Sequence, residues 1–247
     1  MTPVGSIRVG DQEHVASQYA TTEPLRGRMS VWRPGPQGLD PTKVLLDALI
    51  ERSPRKILEI GCGTGAFAQR VVDAIPNVNY LATDASAAMV AAASALGLNA
   101  EIRTAQATGQ AAGSIDAVIA AWMLYHVPSL DAALGEIRRV LRPEGALFAV
   151  TNGELHLATL IADAGVDPPL SSFTSETGQA ILHRHFGSVA RTDIRTTATF
   201  QDHSSAAAYL GTIDPSWAAA LPAFEGVRQD YGYTTVFIAT EPHPTAR

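Results

Sequence analysis

Five residues near the first quarter of the chain have the types and spacing to hold a small charged ligand: Glu59, Gly61, Gly63, Gly65 and, 19 residues later, Asp84. Glycine at every second position lets the backbone turn sharply. It also lets a ligand approach main-chain N–H groups with no Cβ in the way, next to a helix start. A carboxylate about 20 residues on, at the end of the following strand, is placed for the ribose of an adenosine-containing ligand. A second group is the run Trp122-Met123-Leu124-Tyr125-His126-Val127-Pro128, with two aromatics and a histidine after an apolar stretch. An imidazole titrates near neutral pH, which makes His126 the leading general base, with a structural bond to a backbone carbonyl as the competing role. Trp122 and Tyr125 can shape a pocket by stacking or cation–π contact.

These residues need strands that end side by side. From Lys56 onward short apolar runs alternate with helical patterns, the signature of βαβ units and a parallel sheet. The strands read as Lys56–Ile60, Val78–Thr83, Asn99–Arg103, Ile115–Ala121 and Ala146–Thr151, with helices after Gly65, over Ser86–Leu96 and over Leu130–Leu141. Ile115–Ala121 has no polar alternation, so it belongs in the middle of a covered sheet. Beyond Thr151 the pattern predicts helices near Leu155–Ala164 and Ser175–His185 around a turn at Pro168-Pro169. A strand near Val189–Thr197, a broken helix over Ala206–Glu225 and a last strand at Thr234–Thr240 follow. The expected organisation is an N-terminal helical lid over residues 1–50 and a doubly wound α/β domain over 51–247, with a covering insertion near 201–230 carrying Tyr209, Trp217 and Phe224.

Composition narrows the function. The 247 residues carry 18 Lys+Arg against 24 Asp+Glu, a net charge of −6, and the only lysines are Lys43 and Lys56. That balance offers no electrostatic grip on a phosphate backbone, so no nucleic-acid partner is expected. The single cysteine, Cys62, can make no intrachain disulfide, and its place in the glycine turn marks it as a small filler. No metal site is expected, since His183 and His185 stand two apart with no third ligand in sequence. The longest apolar stretch, Ala117 to Val127, is short of the roughly 18 residues of a membrane span, and Met1 to Glu13 lacks a signal-peptide run. A cytoplasmic, soluble protein, monomer or homodimer, is the expectation.

Spacing alone leaves two ligand classes open, because Gly61, Gly63 and Ala66 also satisfy the dinucleotide fingerprint of a nucleotide-dependent oxidoreductase. Three features weigh against it: the acidic Glu59, suited to an amino group, the third glycine at Gly65, and the helical leader ahead of the unit. A non-catalytic binding protein is a further alternative.

From Tyr19 to Thr151 the chain resembles the class I S-adenosylmethionine-dependent methyltransferases. Glu59-x-Gly61-x-Gly63-x-Gly65 looks like their first motif and Thr83-Asp84-Ala85-Ser86 like their ribose-binding turn. Ser114-Ile115-Asp116-Ala117-Val118 and Arg138 to Leu147 resemble their fourth strand and the helix, turn and strand that follow. The resemblance implies a Rossmann-like, mostly parallel seven-stranded sheet with an antiparallel last strand. It implies S-adenosylmethionine as cofactor, S-adenosylhomocysteine as product and a small-molecule methyl acceptor, such as a secondary metabolite, methylated at oxygen or nitrogen. Cofactor contacts carried over are Tyr19, Arg28, Glu59, Gly61, Cys62, Gly63, Gly65, Asp84, Ala85, Met89, Ala105, Gln106, Ala121 and Trp122. Among the leader arginines Arg28 is preferred over Arg26 and Arg33 for the methionine carboxylate. One departure stands out: Thr104-Ala105-Gln106-Ala107 replaces the acidic residue that usually meets adenine, leaving Gln106 or backbone groups to do so. His126 is the implied base, and Trp32, Tyr125, Asn152 and His156 are the implied acceptor contacts. The Asn/Asp-Pro-Pro-Tyr/Phe segment of enzymes that methylate adenine or glutamine amino groups is missing from Trp122 to Val127.

Overall fold

The computed structural model describes residues 10–168 and 170–244, so the expected turn at Pro168-Pro169 and the amino-terminal nine residues lie partly or wholly outside it. Eight strands form one sheet: β1 (Trp32–Pro34), β2 (Lys56–Ile60), β3 (Asn79–Asp84), β4 (Ala100–Ile102), β5 (Ile115–Ala121), β6 (Leu141–Asn152), β7 (Phe186–Phe200) and β8 (Arg228–Pro242). Their order across the sheet is β1-β7-β8-β6-β5-β2-β3-β4. Pairs among β2 to β6 are parallel; β8 runs antiparallel between β6 and β7, and β1 is antiparallel on β7. The expected seven strands are therefore eight. Trp32–Pro34 pairs with Thr196–Ala198 and caps an edge that would otherwise expose unpaired N–H and C=O groups.

Period-two alternation explains how the middle strands bury both faces. On β5, Val118 and Ala120 join one core layer with Leu134, Ile137 and Val140 of α6 (Leu130–Val140). Ala117 and Ile119 join the opposite layer with Leu45 and Leu49 of α3 (Pro41–Arg52) and Val71 of α4 (Ala66–Ala74). Truncating Phe148, fully buried at the centre of β6, would cost about 3–5 kcal/mol. Side-chain caps start several of the helices: Asp40 accepts from Lys43 N–H before α3, and Ser86 from Met89 N–H before α5 (Ala87–Ala95). Ser129 accepts from Ala132 N–H before α6.

The leader differs from a purely helical lid. Among its described residues, α1 (Gln12–Gln18) and α2 (Glu23–Ser30) are helical, β1 enters the sheet, and α3 is buried core because Leu45 and Leu49 recur on one face. In the carboxyl-terminal third the helices are shorter than the pattern predicts. They are α7 (Ala158–Asp163), α8 (Gly178–Leu182), α9 (His203–Gly211) and α10 (Pro215–Ala220). Leu157, held at φ 57°, starts α7 late, and Asp214-Pro215 restarts the chain as α10. The last two strands are longer than predicted: β7 and β8 pair over Phe186–Phe200 and Arg228–Pro242, and only the second half of that ribbon carries β1. The overhang builds a third core from Ala198, Phe200, Tyr209, Leu210 and Trp217 against Leu160. Trp217 is 1% exposed there, so it neither faces an acceptor nor offers a dimer surface.

Candidate functional site

The carboxyl ends of β2 and β3 meet in the glycine turn. Gly61, Gly63 and Gly65 hold φ at 73°, 53° and 81°, a region that costs other residues energy. A Cβ on Gly61 would stand 2.7 Å from the Cβ of Met123, and one on Gly63 2.9 Å from Leu25 Cδ2 of α2. Gly63 N–H donates to Asp84 Oδ2 at 2.9 Å and Ser86 N–H to Asp84 Oδ1 at 2.8 Å. One carboxylate thus pins the two turns together. Burial raises its pKa above the ordinary range, with the N–H groups of Ser86, Gly63 and Ala85 pulling the other way.

Glu59 lies beneath this turn, 2% exposed, and accepts a 2.8 Å hydrogen bond from the Tyr80 hydroxyl. Burial pushes its carboxyl up to about 7; Tyr80 opposes that and the Asp84 charge adds to it. Tyr80 was detectable in sequence: Ile57 pairs with it and Glu59 with Ala82, so Glu59 and Tyr80 are diagonal neighbours on one face. Cys62 is buried and its thiol is pushed upward, chiefly by burial, which leaves it a poor nucleophile. Met89 is fully buried and Ala105 4% exposed, whereas Ala85 is open and Ala121 half-buried. The Gln106 amide nitrogen is buried with no hydrogen-bond partner.

Past β5 the chain turns sharply at Trp122, held at φ 53°, an unfavourable conformation for a bulky residue and one that collects at functional sites. The turn that follows, Leu124–His126, meets the leader. Tyr19 Oη and His126 Nε2 are 3.0 Å apart, and Gln12 Nε2 donates to the His126 carbonyl at 2.8 Å. Tyr125 lies edge-on to His126 at 4.4 Å between ring centres. The Tyr19 carbonyl accepts from Ser86 Oγ at 2.7 Å, linking this leader residue to the ribose-side turn as well.

Of Arg26, Arg28 and Arg33, Arg28 alone turns inward. Its Cζ is 5.3 Å from the Tyr19 ring centre, its Nη1 donates to the Thr212 carbonyl at 3.1 Å, and its Nη2 is buried with no partner. Arg33 instead donates to the carbonyls of Ser30 and Trp32, and Arg26 is exposed. Trp32 and His156 stack at 4.8 Å, with Tyr209 of α9 at 6.3 Å from Trp32. His156 Nδ1–H donates to the Tyr233 carbonyl at 3.3 Å, and burial drops its pKa to about 4. The imidazole is therefore neutral at physiological pH. Trp122 Nε1–H donates to Asn152 Oδ1 at 3.0 Å. Thr234 had no signal in the sequence, because it meets Asn152 only across the sheet, 82 residues along the chain.

Comparison with known proteins agrees with this geometry. Residues 58–149 match the family described as "Methyltransferase domain". An uncharacterized methyltransferase of Mycobacterium tuberculosis (strain ATCC 25618 / H37Rv) is 32% identical over 130 residues, 48% of this chain and 64% of the relative. The chain thus spans less than two thirds of that relative's length. Among solved structures, the [4+2]-cyclase SpnF superimposes with a TM-score of 0.58 at 19% identity over 97% of this chain and 100% of its own. The plantazolicin methyltransferase BamL, in complex with a triazolic desmethylPZN analog and SAH, gives 0.51 at 14% identity over 81% and 84%. At such identities the superpositions speak for fold. Residues 58–149 are a methyltransferase domain of the class I, Rossmann-like kind, as the motifs led us to expect.

Proposed function

We propose that this chain is a methyltransferase that uses S-adenosylmethionine to methylate oxygen or nitrogen of a small organic acceptor. The observation that carries the reading is the turn Gly61–Gly65: left-handed at all three glycines, closed to any Cβ at Gly61 and Gly63, and tied by Gly63 N–H to Asp84. The residues around it fit the cofactor. Asp84 accepts from ribose hydroxyls, and Glu59 supplies negative charge for an amino group. The free Nη2 of Arg28 suits a carboxylate, and the unpartnered amide of Gln106 suits an adenine edge, which offers a donor and an acceptor side by side. Tyr19, Cys62, Ala85, Met89, Ala105, Ala121 and Trp122 complete the walls.

When bound, the cofactor supplies a methyl group on a cationic sulfur; the acceptor lone pair forms the new bond to that carbon as the carbon–sulfur bond breaks, leaving neutral S-adenosylhomocysteine. The protein's share is alignment, exclusion of water and a base. The acceptor's proton reaches His126 Nε2 through the Tyr19 hydroxyl, which lies 3.0 Å from that nitrogen and hands on its own proton as it takes the acceptor's. Trp32, Tyr125, Asn152 and His156 surround the acceptor, and α1 and α2 close over it. No helix among the described residues is long and apolar enough to cross a membrane. We place the enzyme in the cytoplasm, as a monomer or homodimer without nucleic-acid partners; the net charge of −6 supports the last point.

Calorimetry with S-adenosylhomocysteine and with NAD tests the cofactor: micromolar binding of the first and none of the second is expected, and the reverse sinks the proposal. Labelled S-adenosylmethionine offered with mixed small acceptors then tests turnover.

A further inference from the structure

The Asn152 side chain has a fixed orientation. Indole N–H is a donor only, so the atom of Asn152 facing Trp122 Nε1 at 3.0 Å must be the oxygen. Thr234 Oγ1 donates to the same Oδ1 at 3.2 Å. The amide cannot turn over without setting N–H against N–H at Trp122. Its Nδ2 is thereby directed away from both donors, and no described protein group accepts from it. Asn152 is the last residue of β6, half-buried at the carboxyl edge where β5 and β6 end beside each other. That edge is where open α/β sheets bind their ligands.

The Asn152 amide nitrogen offers N–H donors and no negative charge. An amine acceptor arrives as an ammonium and needs a carboxylate to hold it. An oxygen acceptor needs donors.

We propose that the methyl acceptor presents a hydrogen-bond-accepting oxygen, as a carboxylate, phenolate or carbonyl, to Asn152 Nδ2, and that Trp122 is the positioning residue that holds the amide in this sense. The inference rests on the methyltransferase reading above.

The test uses the full chain saturated with S-adenosylhomocysteine and matched probe pairs of one skeleton each: benzoate and benzylamine, phenol and aniline, indole-3-acetate and tryptamine. Calorimetry or thermal shift reads their affinities. The oxygen member of each pair is expected to bind about tenfold more tightly. Asn152→Asp keeps an oxygen for Trp122 and puts a carboxylate oxygen where Nδ2 stood, so it inverts the preference toward the amine. Trp122→Phe, which keeps Asn152 but frees it to rotate, shrinks the preference. Equal or tighter binding of the amines, no binding of any member, or an oxygen preference unchanged in Asn152→Asp overturns the inference. Failure of S-adenosylhomocysteine to bind at the outset removes the methyltransferase reading; its binding without an oxygen preference removes this inference alone.

Discussion

The two halves of the site are built by different means. The proposed cofactor side is built on backbone: three left-handed glycines, two N–H groups on Asp84, and strands β2 and β3 in parallel register, all within about 30 residues. The proposed acceptor side is built on side chains from far apart, such as Trp32 on His156 and Asn152 under Trp122 and Thr234, with Tyr19 of the leader joining the two sides through Ser86 and His126. A backbone site accepts one ligand because its geometry admits nothing else. A site of side chains can be refitted one contact at a time.

The comparison predicts that substitutions divide cleanly. His126→Ala, on the acceptor side, should lower turnover by about 10²–10³-fold while leaving S-adenosylhomocysteine affinity within a few-fold. Single-turnover rates set beside calorimetry check this, and equal loss in both would merge the two halves. Gly63→Val, on the cofactor side, forces a β-branched residue to φ 53° and drives its side chain at Leu25. The dissociation constant for S-adenosylhomocysteine should rise about 100-fold or more. Asp84→Ala removes the ribose acceptor and the tie between turns, for a loss of about 10- to 100-fold in the same measurement.

Glu59 gives the comparison a pH signature. Its folded value near 7 lies above its ordinary 4.5, so the folded protein keeps a proton that the unfolded chain has lost between those values. That contribution to stability is complete below about pH 4.5 and is lost as pH rises through 7. A ligand ammonium instead needs Glu59 ionised. Cofactor-product affinity should therefore weaken by up to about tenfold per unit as pH falls below 7, and Glu59→Gln should flatten that slope. The smallest effect is expected from Tyr19→Phe, which deletes the hydroxyl at His126 Nε2, where a water can stand in, and should cut turnover about three- to tenfold. A change confined to cofactor affinity would leave Tyr19 a cofactor contact alone.

The same division sets what could be read from sequence. Strands β2 and β5 have the predicted ends, Lys56–Ile60 and Ile115–Ala121, because central parallel strands are apolar on both faces and bounded by turns. The glycine turn, Asp84 and the helix that follows it are local patterns and were legible too. The length of the β7–β8 ribbon was not. Its outer half mixes half-buried Thr197 and Thr199 and exposed Gln229 and Tyr231 with buried Asp230 and Gly232, so no run of apolar residues there signalled strand. β1 escaped because three residues ending in Pro34 have no strand pattern of their own and exist as strand only through Thr196–Ala198. Which leader arginine turns inward depends on Thr212, 184 residues away along the chain.

The β7–β8 ribbon has a consequence for how this fold can diversify. Its inner half is locked into the sheet by β6, from Ala146–Thr240 to Asn152–Thr234, while its outer half carries β1, α9 and α10 as freight. Insertions or exchanges at that tip should change the segment packed beside Trp32 and leave the register beneath the glycine turn untouched. The ribbon is a graft point: a tip taken from a relative with another acceptor should transplant its selectivity onto this sheet.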